Sequence, residues 1–364
     1  MADIKRIGVL TGGGDCPGLN AVIRAVTKTA INEYGVEVVG FRDGFKGLVE
    51  NDYVPLNLQA VSGIAHTGGT ILGTTNRDNP FNFHSVVNGQ DHFSDKSQQA
   101  IENMNKIGLG GLVVIGGDGS LNIAYRFYQL GVPVVGVPKT IDNDLSATDV
   151  TFGFYTAVTT ASEALDKLHT TAESHHRVMI LEVMGRYAGW IALYAGLSGG
   201  ADVILIPEIP YHIDAVVKKI QQRHQQTKKF SIIVVAEGAA PAGGEMVVQK
   251  LVPTSHDPVR LGGIGNQLAE QIEEITGIET RVTVLGHLQR GGQPIPYDRI
   301  LATRYGVAAA ENLIEGNDGV MVSLQGTRIT TVPLQEAIKE LRKVPLDSDM
   351  LRSARAVGIS FGDF

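Results

Sequence analysis

The segment KTIDND, residues 139–144, places several reactive side chains in one short turn that follows an apolar run. A strand-to-helix loop needs one capping side chain, yet this one carries two carboxylates, Asp142 and Asp144, beside Lys139 and Thr140. An aspartate at a strand end can take the proton of a hydroxyl group, and a second one can hold a metal ion directly or through water. The segment is therefore a candidate catalytic loop for phosphoryl transfer.

Two glycine-rich turns, within residues 10–26 and 113–120, each connect an apolar run to a helical segment. Glycines leave backbone N–H groups exposed, and the helix N-terminus adds partial positive charge, so each turn could hold a phosphate. A tight turn without a ligand explains the first one equally well. In the second turn Ser120 can cap the helix, and Asp118 is a candidate Mg²⁺ ligand because a bare carboxylate would repel phosphates. Helix capping by Asp118 is the alternative.

The second half of the chain supplies four arginines with glycine or histidine close by: Arg177, Arg186, Arg281 and Arg290. A forked guanidinium matches a phosphate group well. Any one of them could form a salt bridge to a helix acid instead, but four together favour capture of a phosphorylated substrate. The residues thus predict transfer of a phosphoryl group from a Mg²⁺-bound polyphosphate to a hydroxyl of a phosphorylated metabolite.

Alternating strands and helices are expected to position these motifs. Continuous β-branched runs are typical of strands covered on both faces, and they occur at 6–10, 36–41, 109–117, 132–137, 177–185, 202–208, 231–238, 281–287 and 320–324. Helices are predicted at 18–33, 120–130, 154–170, 186–198, 212–226 and 262–276. This rhythm predicts an α/β fold with mainly parallel, doubly wound sheets, in which ligands bind at the carboxyl ends of strands.

Two stretches do not follow this rhythm. Residues 79–99 are polar and predict a surface insertion, and the tail beyond about residue 325 is charged and predicts loose helix.

The bulk composition excludes several classes of protein. The chain has 364 residues, a net charge of −7, and no basic run that would suit a nucleic acid or a membrane surface. Its one cysteine, Cys16, excludes an intrachain disulfide and a thiolate metal cluster. Neither an apolar leader nor a bilayer-length apolar stretch is evident, so a cytoplasmic location is expected.

Four motifs in this order, GGDGS, PKTIDND, MGRYAGW and LGHLQRGG, resemble the 6-phosphofructokinase family over roughly residues 4–320. The resemblance implies two Rossmann-like lobes with the active site in the cleft between them. It implies a nucleotide and Mg²⁺ lobe at 1–145, a sugar-phosphate lobe at 146–310 and a segment at 311–364 that packs back on both. It further implies fructose 6-phosphate as acceptor and fructose 1,6-bisphosphate as product, allosteric control, and a homotetramer, or else a dimer, with sites completed across subunits.

The resemblance also implies roles for single residues. Asp142 would deprotonate the 1-hydroxyl of the sugar, with Thr140 and Arg186 as further catalytic residues, while Asp118 and Asp144 would hold or support Mg²⁺. The donor phosphates would meet Gly14, Arg77, Asp78, Gly117, Asp118, Gly119 and Ser120. The sugar phosphate would meet Thr140, Ile141, Asp142, Arg177, Met184, Gly185, Arg186, Glu237, Arg281, His287, Leu288, Gln289 and Arg290, with Arg177 and Arg281 reaching across a subunit boundary.

Several positions depart from the usual bacterial pattern. The segment GTTNR replaces GSAR and puts Arg77 one place later, Asp202 replaces a metal-binding glutamate, and Phe230 replaces a histidine. Basic residues near the family's effector site would be Arg24, Lys28, Lys228 and Lys229. Regulation by ADP and phosphoenolpyruvate is therefore left open.

Two positions bear on the phosphoryl donor. Pyrophosphate-dependent relatives carry aspartate at the position of Gly119 and lysine at that of Lys139, whereas the usual ATP enzymes carry glycine at both, so this chain is mixed. An aspartate at 119 would fill space near the α-phosphate, while a lysine at 139 suits either donor. The absence of a side chain at Gly119 therefore favours ATP, with pyrophosphate as the alternative.

Other functions are less consistent with the residues. NAD kinases and lipid kinases share a GGDG-type turn but do not resemble this chain at TIDND or GHLQRGG. A regulatory subunit that has lost catalysis would be expected to lack Asp118 or Asp142, and both are present. A dinucleotide-binding oxidoreductase would need G-x-G-x-x-G spacing, which the first turn lacks.

Overall fold

The computed structural model describes residues 4–87, 89–226, 229–251 and 259–364. Lys228, one of the residues expected near an effector site, lies outside the described residues. Within the described ranges, no helix is both long enough and apolar enough to cross a lipid bilayer.

The strands are β1 Arg6–Thr11, β2 Glu37–Phe41, β3 Tyr53–Leu56, β4 Phe83–Val87, β5 Gln90–Ser94, β6 Leu112–Gly116, β7 Val134–Pro138, β8 Val178–Val183, β9 Val203–Leu205, β10 Ser231–Ala236, β11 Val248–Leu251, β12 Val259–Leu261, β13 Thr280–Val284, β14 Val320–Gln325 and β15 Arg328–Pro333. The helices are α1 Leu19–Tyr34, α2 Phe45–Glu50, α3 Ser97–Lys106, α4 Asp118–Gln129, α5 Phe154–His175, α6 Trp190–Ser198, α7 Ile213–Gln225, α8 Ile264–Thr276, α9 Pro296–Glu315, α10 Leu334–Ala337 and α11 Asp349–Ala356, with a 3₁₀ turn at Gly286–Gln289.

Two sheets form the centres of two lobes. The first runs in the order β15-β14-β7-β6-β1-β2-β3, parallel from β14 to β2 and antiparallel at both edges. The second runs in the order β13-β8-β10-β9 and is parallel throughout. The predicted α/β fold with mainly parallel sheets is confirmed.

The burial of the inner strands explains the continuous apolar runs from which these strands were predicted. Every residue of β6, β7, β8 and β10 is buried, because helices cover both faces of each sheet. Such strands carry apolar residues at nearly every position instead of alternating apolar and polar ones, with Glu182 of β8 and Ser231 of β10 as exceptions, and this is the pattern of the runs in the sequence.

Helix α9 was not predicted from the sequence, and it packs along α1. The two helices approach closely at Gly306, where an added Cβ would stand 2.7 Å from Cβ of Ala25 and 2.8 Å from the carbonyl oxygen of Val22. Both faces of α9 carry small and apolar residues, so a single apolar stripe is missing from its sequence.

The two stretches outside the strand–helix rhythm both contain strands. Residues 79–99 include the hairpin of β4 and β5, of which β5 is mostly exposed, and lead into α3. The tail, expected to be loose helix, begins with β15, an edge strand of the first sheet. Only Val332 of β15 is buried, because an edge strand is covered on fewer sides than a central one.

The end of the chain contacts the second lobe. Ser360 pairs with Val203 at the start of β9, and Phe361 is fully buried. The division of the chain at residues 145 and 310 stays a prediction.

Candidate active site

One cavity of about 1100 Å³ opens at the carboxyl ends of strands from both sheets. The predicted site residues that line it are Gly14, Arg77, Asp142, Asp144, Met184, Arg186, Glu237, His287 and Arg290. Donor-side and sugar-side residues therefore face the same space. The predicted residues outside its lining are Asp78, Gly117, Asp118, Gly119, Ser120, Thr140, Ile141, Arg177, Gly185, Arg281, Leu288 and Gln289.

The catalytic-loop candidate follows β7 and is held by its own threonines. Oγ1 of Thr140 accepts a hydrogen bond of 3.1 Å from the backbone N–H of Asp142, and Oγ1 of Thr151 donates to the carbonyl of Thr140 at 2.6 Å. Asn143 lies between the two aspartates with φ of 52°, a left-handed conformation that asparagine tolerates. This turn lets Asp142 and Asp144 both face the cavity.

The carboxylates of the cavity repel one another. Burial and the neighbouring Asp142 raise the pKa of Asp144 to about 7, with a smaller contribution from Asp118. Burial and Asp142 likewise raise the pKa of Glu237 to about 7, against the attraction of Arg186. Oδ1 of Asp142 is buried and makes no hydrogen bond. The site thus concentrates negative charge that a cation would relieve.

This charge pattern fits a divalent cation that is shared with phosphate groups. In the described ranges, which omit residues 1–3, 88, 227–228 and 252–258, no three Asp, Glu, His or Cys side chains could hold a metal by themselves. Mg²⁺ commonly takes only one or two carboxylates and completes its shell with phosphate oxygens and water. Asp118 is near enough to Asp144 to raise its pKa, so these two predicted metal residues suit such a role.

Lys139 is deeply buried, with 3% of its surface exposed, and its ammonium donates a hydrogen bond to the carbonyl oxygen of Gly14. Burial lowers its pKa. The side chain therefore connects the catalytic-loop candidate to the first glycine-rich turn.

Ser120 does not cap a helix, contrary to the expectation from the sequence. Helix α4 begins two residues earlier, at Asp118, so that Ser120 lies in its first turn. Its side chain instead packs against the first glycine-rich turn, where an added Cβ on Gly12 would stand 2.5 Å from Oγ of Ser120. The two glycine-rich turns are thus in direct contact.

The sugar-side residues come from loops of the second lobe. Gly185 has φ of 135°, which only glycine adopts readily, and it directs the chain between Met184 and Arg186. Arg290 lies against the donor side, since its Nη1 donates to the carbonyl of Asp15 at 3.1 Å. Its role in holding the sugar phosphate stays a prediction.

Arg177 and Arg281 lie away from the cavity. Glu279 pairs with both: Nε of Arg177 is 2.6 Å from Oε2 of Glu279, and Nη2 of Arg281 pairs with Oε1. Leu288 is also exposed, with 68% of its surface accessible, whereas Gln289 and Ile141 are fully buried. The two arginines are thus held on an outer surface of this chain.

Sequence reasoning missed several residues of the cavity wall: Asp15, Thr74, Thr75, Asn76, Tyr187, Gln249, Lys250 and Leu261. Among these residues, Lys250 of β11 adds a positive charge to the cavity wall. A lone lysine in a short strand carries no pattern that would distinguish it from a solvated surface charge.

Asp202, noted for replacing a glutamate, is engaged within the chain. Nη1 of Arg223 lies 2.7 Å from its Oδ1, and the backbone N–H of Ile232 donates to its Oδ2 at 2.9 Å. Its carboxylate is thus bound to an arginine and a strand and contributes to the second lobe's structure.

Comparisons with known proteins agree with this geometry. A family model described as "Phosphofructokinase" matches residues 6–313. The chain is 56% identical to "ATP-dependent 6-phosphofructokinase 2" of Clostridium perfringens over 100% of both chains. It is 53% identical to "Pyrophosphate--fructose 6-phosphate 1-phosphotransferase" of Amycolatopsis mediterranei, over 94% of this chain and 97% of the relative.

Among solved structures, the phosphofructokinase of Saccharomyces cerevisiae aligns with a TM-score of 0.78 and 33% identity. The alignment covers 92% of this chain and 45% of the yeast chain, so the protein spans about half the length of that relative. The match of the family model and the identity to full-length relatives show that this chain belongs to the phosphofructokinase family.

Proposed function

We propose that the protein is an ATP-dependent 6-phosphofructokinase, which transfers the γ-phosphoryl group of ATP to the 1-hydroxyl of fructose 6-phosphate. The observation that carries this proposal is the carboxylate of Asp142, which lies in the cavity with one buried oxygen unpaired. A buried acceptor without a donor suits a group that receives a proton from a bound hydroxyl.

Asp142 acts as the general base. Its Oδ1 accepts the proton of the sugar 1-hydroxyl, whose oxygen attacks the γ-phosphorus while the bond to the β-phosphate oxygen breaks. The products are fructose 1,6-bisphosphate and ADP, and the proton leaves from the carboxylic acid of Asp142. Thr140 fixes this carboxylate by accepting the N–H of Asp142, and its own hydroxyl hydrogen is available to the transferring group.

The donor side stabilises negative charge. The N-terminus of α4 at Asp118 is proposed to present backbone N–H groups to the donor phosphates, with Gly14 and Arg77 on the cavity wall. Asp118 and Asp144 are the residues proposed to hold Mg²⁺, which would neutralise charge on the phosphate oxygens. The roles of Asp78, Gly117, Gly119 and Ser120 follow from their place in these turns.

The acceptor side recognises the sugar and its 6-phosphate. Arg186 and Glu237 line the cavity opposite Asp142, and Glu237 can accept a sugar hydroxyl when it is ionised. His287 and Arg290 supply further donors for the 6-phosphate. Arg177 and Arg281 are proposed to enter the site of an adjacent subunit in a homotetramer, where the phosphate would replace Glu279 as their partner.

The donor is ATP because Gly119 carries no side chain where pyrophosphate-dependent relatives carry aspartate. Lys139 does not oppose this conclusion, since its ammonium is committed to the carbonyl of Gly14. The test is kcat/KM for fructose 6-phosphate with ATP and with pyrophosphate on the purified protein. High turnover with ATP and little with pyrophosphate is expected, and the reverse ratio would overturn the choice of donor.

A further inference from the structure

A short stretch near the end of the chain, residues 341–344, touches the catalytic loop through its backbone. We call it the crossing segment. The N–H of Arg342 donates to the carbonyl oxygen of Asp144 at 2.8 Å, and Leu341 forms an antiparallel bridge with Leu145. The crossing segment thus holds the carboxyl end of the loop that carries Asp142.

The same segment binds the start of α6 on its other side. Nε1 of Trp190 donates to the carbonyl of Arg342 at 3.0 Å. The N–H of Val344 donates to Oε1 of Glu208 at 2.8 Å, and this carboxylate also accepts the N–H of Gly189 at 3.0 Å. Gly189 and Trp190 directly follow the loop that carries Arg186.

The Arg342 side chain contacts both Trp190 and the residues that follow the catalytic loop. Its guanidinium carbon lies 4.6 Å from the centroid of the Trp190 ring, a cation–π contact, and its Nη1 donates to the carbonyl of Asp149 at 2.6 Å. Trp190 is 5% exposed, so the contact is largely shielded from water. One arginine therefore joins residues 144–149, which follow Asp142, to the residues that follow Arg186.

We infer that Arg342 is a positioning residue, which fixes the distance between the general-base loop and the sugar-binding loop by joining Asp144 and Asp149 to Trp190. The inference rests on the proposed function, because it assigns the two loops to the two substrates. In phosphoryl transfer most of the protein's contribution is alignment of the reacting groups, and a displacement of about 1 Å can cost about 100-fold in rate.

The chain offers a matched control in Arg355. This arginine also stacks on an aromatic ring, with its guanidinium carbon 4.9 Å from the Phe361 centroid, and pairs with Asp363 at 2.6 Å. It belongs to the same C-terminal part of the chain but makes no contact with either loop. Arg342→Met and Arg355→Met therefore remove similar interactions from different places.

The first measurement needs no substrate. Hydrogen–deuterium exchange of the backbone amides in residues 140–150 is expected to be faster in Arg342→Met than in the wild-type protein, and unchanged in Arg355→Met. Trp190 is the sole tryptophan, so acrylamide quenching of its emission reports the same contact and is expected to increase only in Arg342→Met.

The second measurement is steady-state kinetics. Arg342→Met is expected to lower kcat by about 10-fold while the KM values for ATP and fructose 6-phosphate change less than about 3-fold, because alignment and not binding is lost. Arg342→Lys, which keeps the cation over the ring, should recover much of kcat. If Arg342→Met does not fold, Trp190→Phe takes its place as the test. This variant keeps an aromatic ring and removes only the Nε1 donor, and it should also lower kcat.

Wild-type exchange in residues 140–150 or wild-type kcat in a folded Arg342→Met protein would overturn the inference. Equal losses in Arg355→Met would also do so, because they would show a general effect of the C-terminal part on stability. A wild-type protein that does not phosphorylate fructose 6-phosphate would instead refute the proposed function, and the exchange experiment would still decide whether Arg342 holds the loop.

Discussion

The ammonium of Lys139 donates a hydrogen bond to the carbonyl oxygen of Gly14, and this bond ties the loop of Asp142 to the first glycine-rich turn. A lysine at this position first suggests attraction of a highly charged donor. Its burial and its backbone partner indicate another task, which is to fix the phosphate-binding turn against the base. The choice of donor is proposed to depend instead on Gly119.

Lys139→Met is expected to lower kcat/KM for ATP by about 10-fold without creating activity with pyrophosphate. The change leaves the Gly14 carbonyl without its donor, at a cost of about 1–3 kcal/mol, and frees the turn to move. Lys219→Met is the matched control, because Nζ of Lys219 donates to the carbonyl of Gly358 at 2.6 Å on the exposed surface. A gain of pyrophosphate activity in Lys139→Met would contradict this role for the lysine.

Asp142→Ser is expected to lower kcat by about 10²–10⁴-fold, because the sugar hydroxyl loses its general base. The variant should keep its fold and its affinity for ATP, since serine is smaller and the carboxylate is a source of repulsion in the free protein. Stopped assays of product, together with thermal unfolding, measure both properties. A kcat within 3-fold of the wild type would exclude Asp142 as the base.

The stability of the ligand-free protein is expected to fall as pH rises from about 4.5 to about 7. Asp144 and Glu237 have pKa values raised to about 7 by burial and by Asp142, whereas acids in an unfolded chain titrate near 4. Between these values the native state holds protons that the unfolded state has lost, so the free energy of unfolding decreases with pH and levels off above about 7.

Glu237→Gln should flatten this dependence by an amount on the order of 2 kcal/mol. Urea unfolding of both proteins between pH 5 and pH 8 measures the difference. Glu279→Gln serves as the control. Arg177 and Arg281 lower the pKa of Glu279, so this acid is expected to affect the free energy of unfolding only below the pH range measured. Parallel curves for the wild type and Glu237→Gln would show that Glu237 ionises normally.

Mixed oligomers test whether sites are shared between subunits. Arg281→Ala should raise the KM for fructose 6-phosphate by about 10–100-fold, because a phosphate contact is lost. If Arg281 serves the adjacent subunit, refolding Arg281→Ala together with Asp142→Ser creates sites with both residues intact, and these restore activity at a low fructose 6-phosphate concentration at which each variant alone is nearly inactive. Activity equal to the sum of the separate variants would place Arg281 in its own subunit's site.

The parallel strands and the motif-bearing loops were predictable because each follows from local sequence. The fully buried strand β8 is apolar except at Glu182, whose carboxylate accepts the N–H groups of Gly263 and Gly265. The loop after β7 shows its chemistry in six consecutive residues. That the first glycine-rich turn and the loop of Asp142 line one cavity follows from the rule that the carboxyl ends of parallel strands meet at one edge.

Other features depend on tertiary contacts that no local pattern records. Helix α9 lacks a single apolar stripe because it is covered on more than one side, and β15 lacks a continuous apolar run because it is an edge strand. The bond from Lys139 to Gly14 joins residues 125 positions apart. The wall residue Lys250 comes from a hairpin whose sequence resembles any exposed strand.

The order of the first sheet has a consequence for biosynthesis. Strand β14 pairs with β7 and β15 pairs with β14, at residues 320–333, so the first sheet lacks an edge until most of the chain has left the ribosome. The four strands of the second sheet come from residues 178–284 and can pair first, although Ser360 joins its β9 edge later. Long-range pairing of this kind is slow, and an uncovered β7 edge is prone to join other strands. The nascent protein is therefore expected to need protection by chaperones until its final segment emerges.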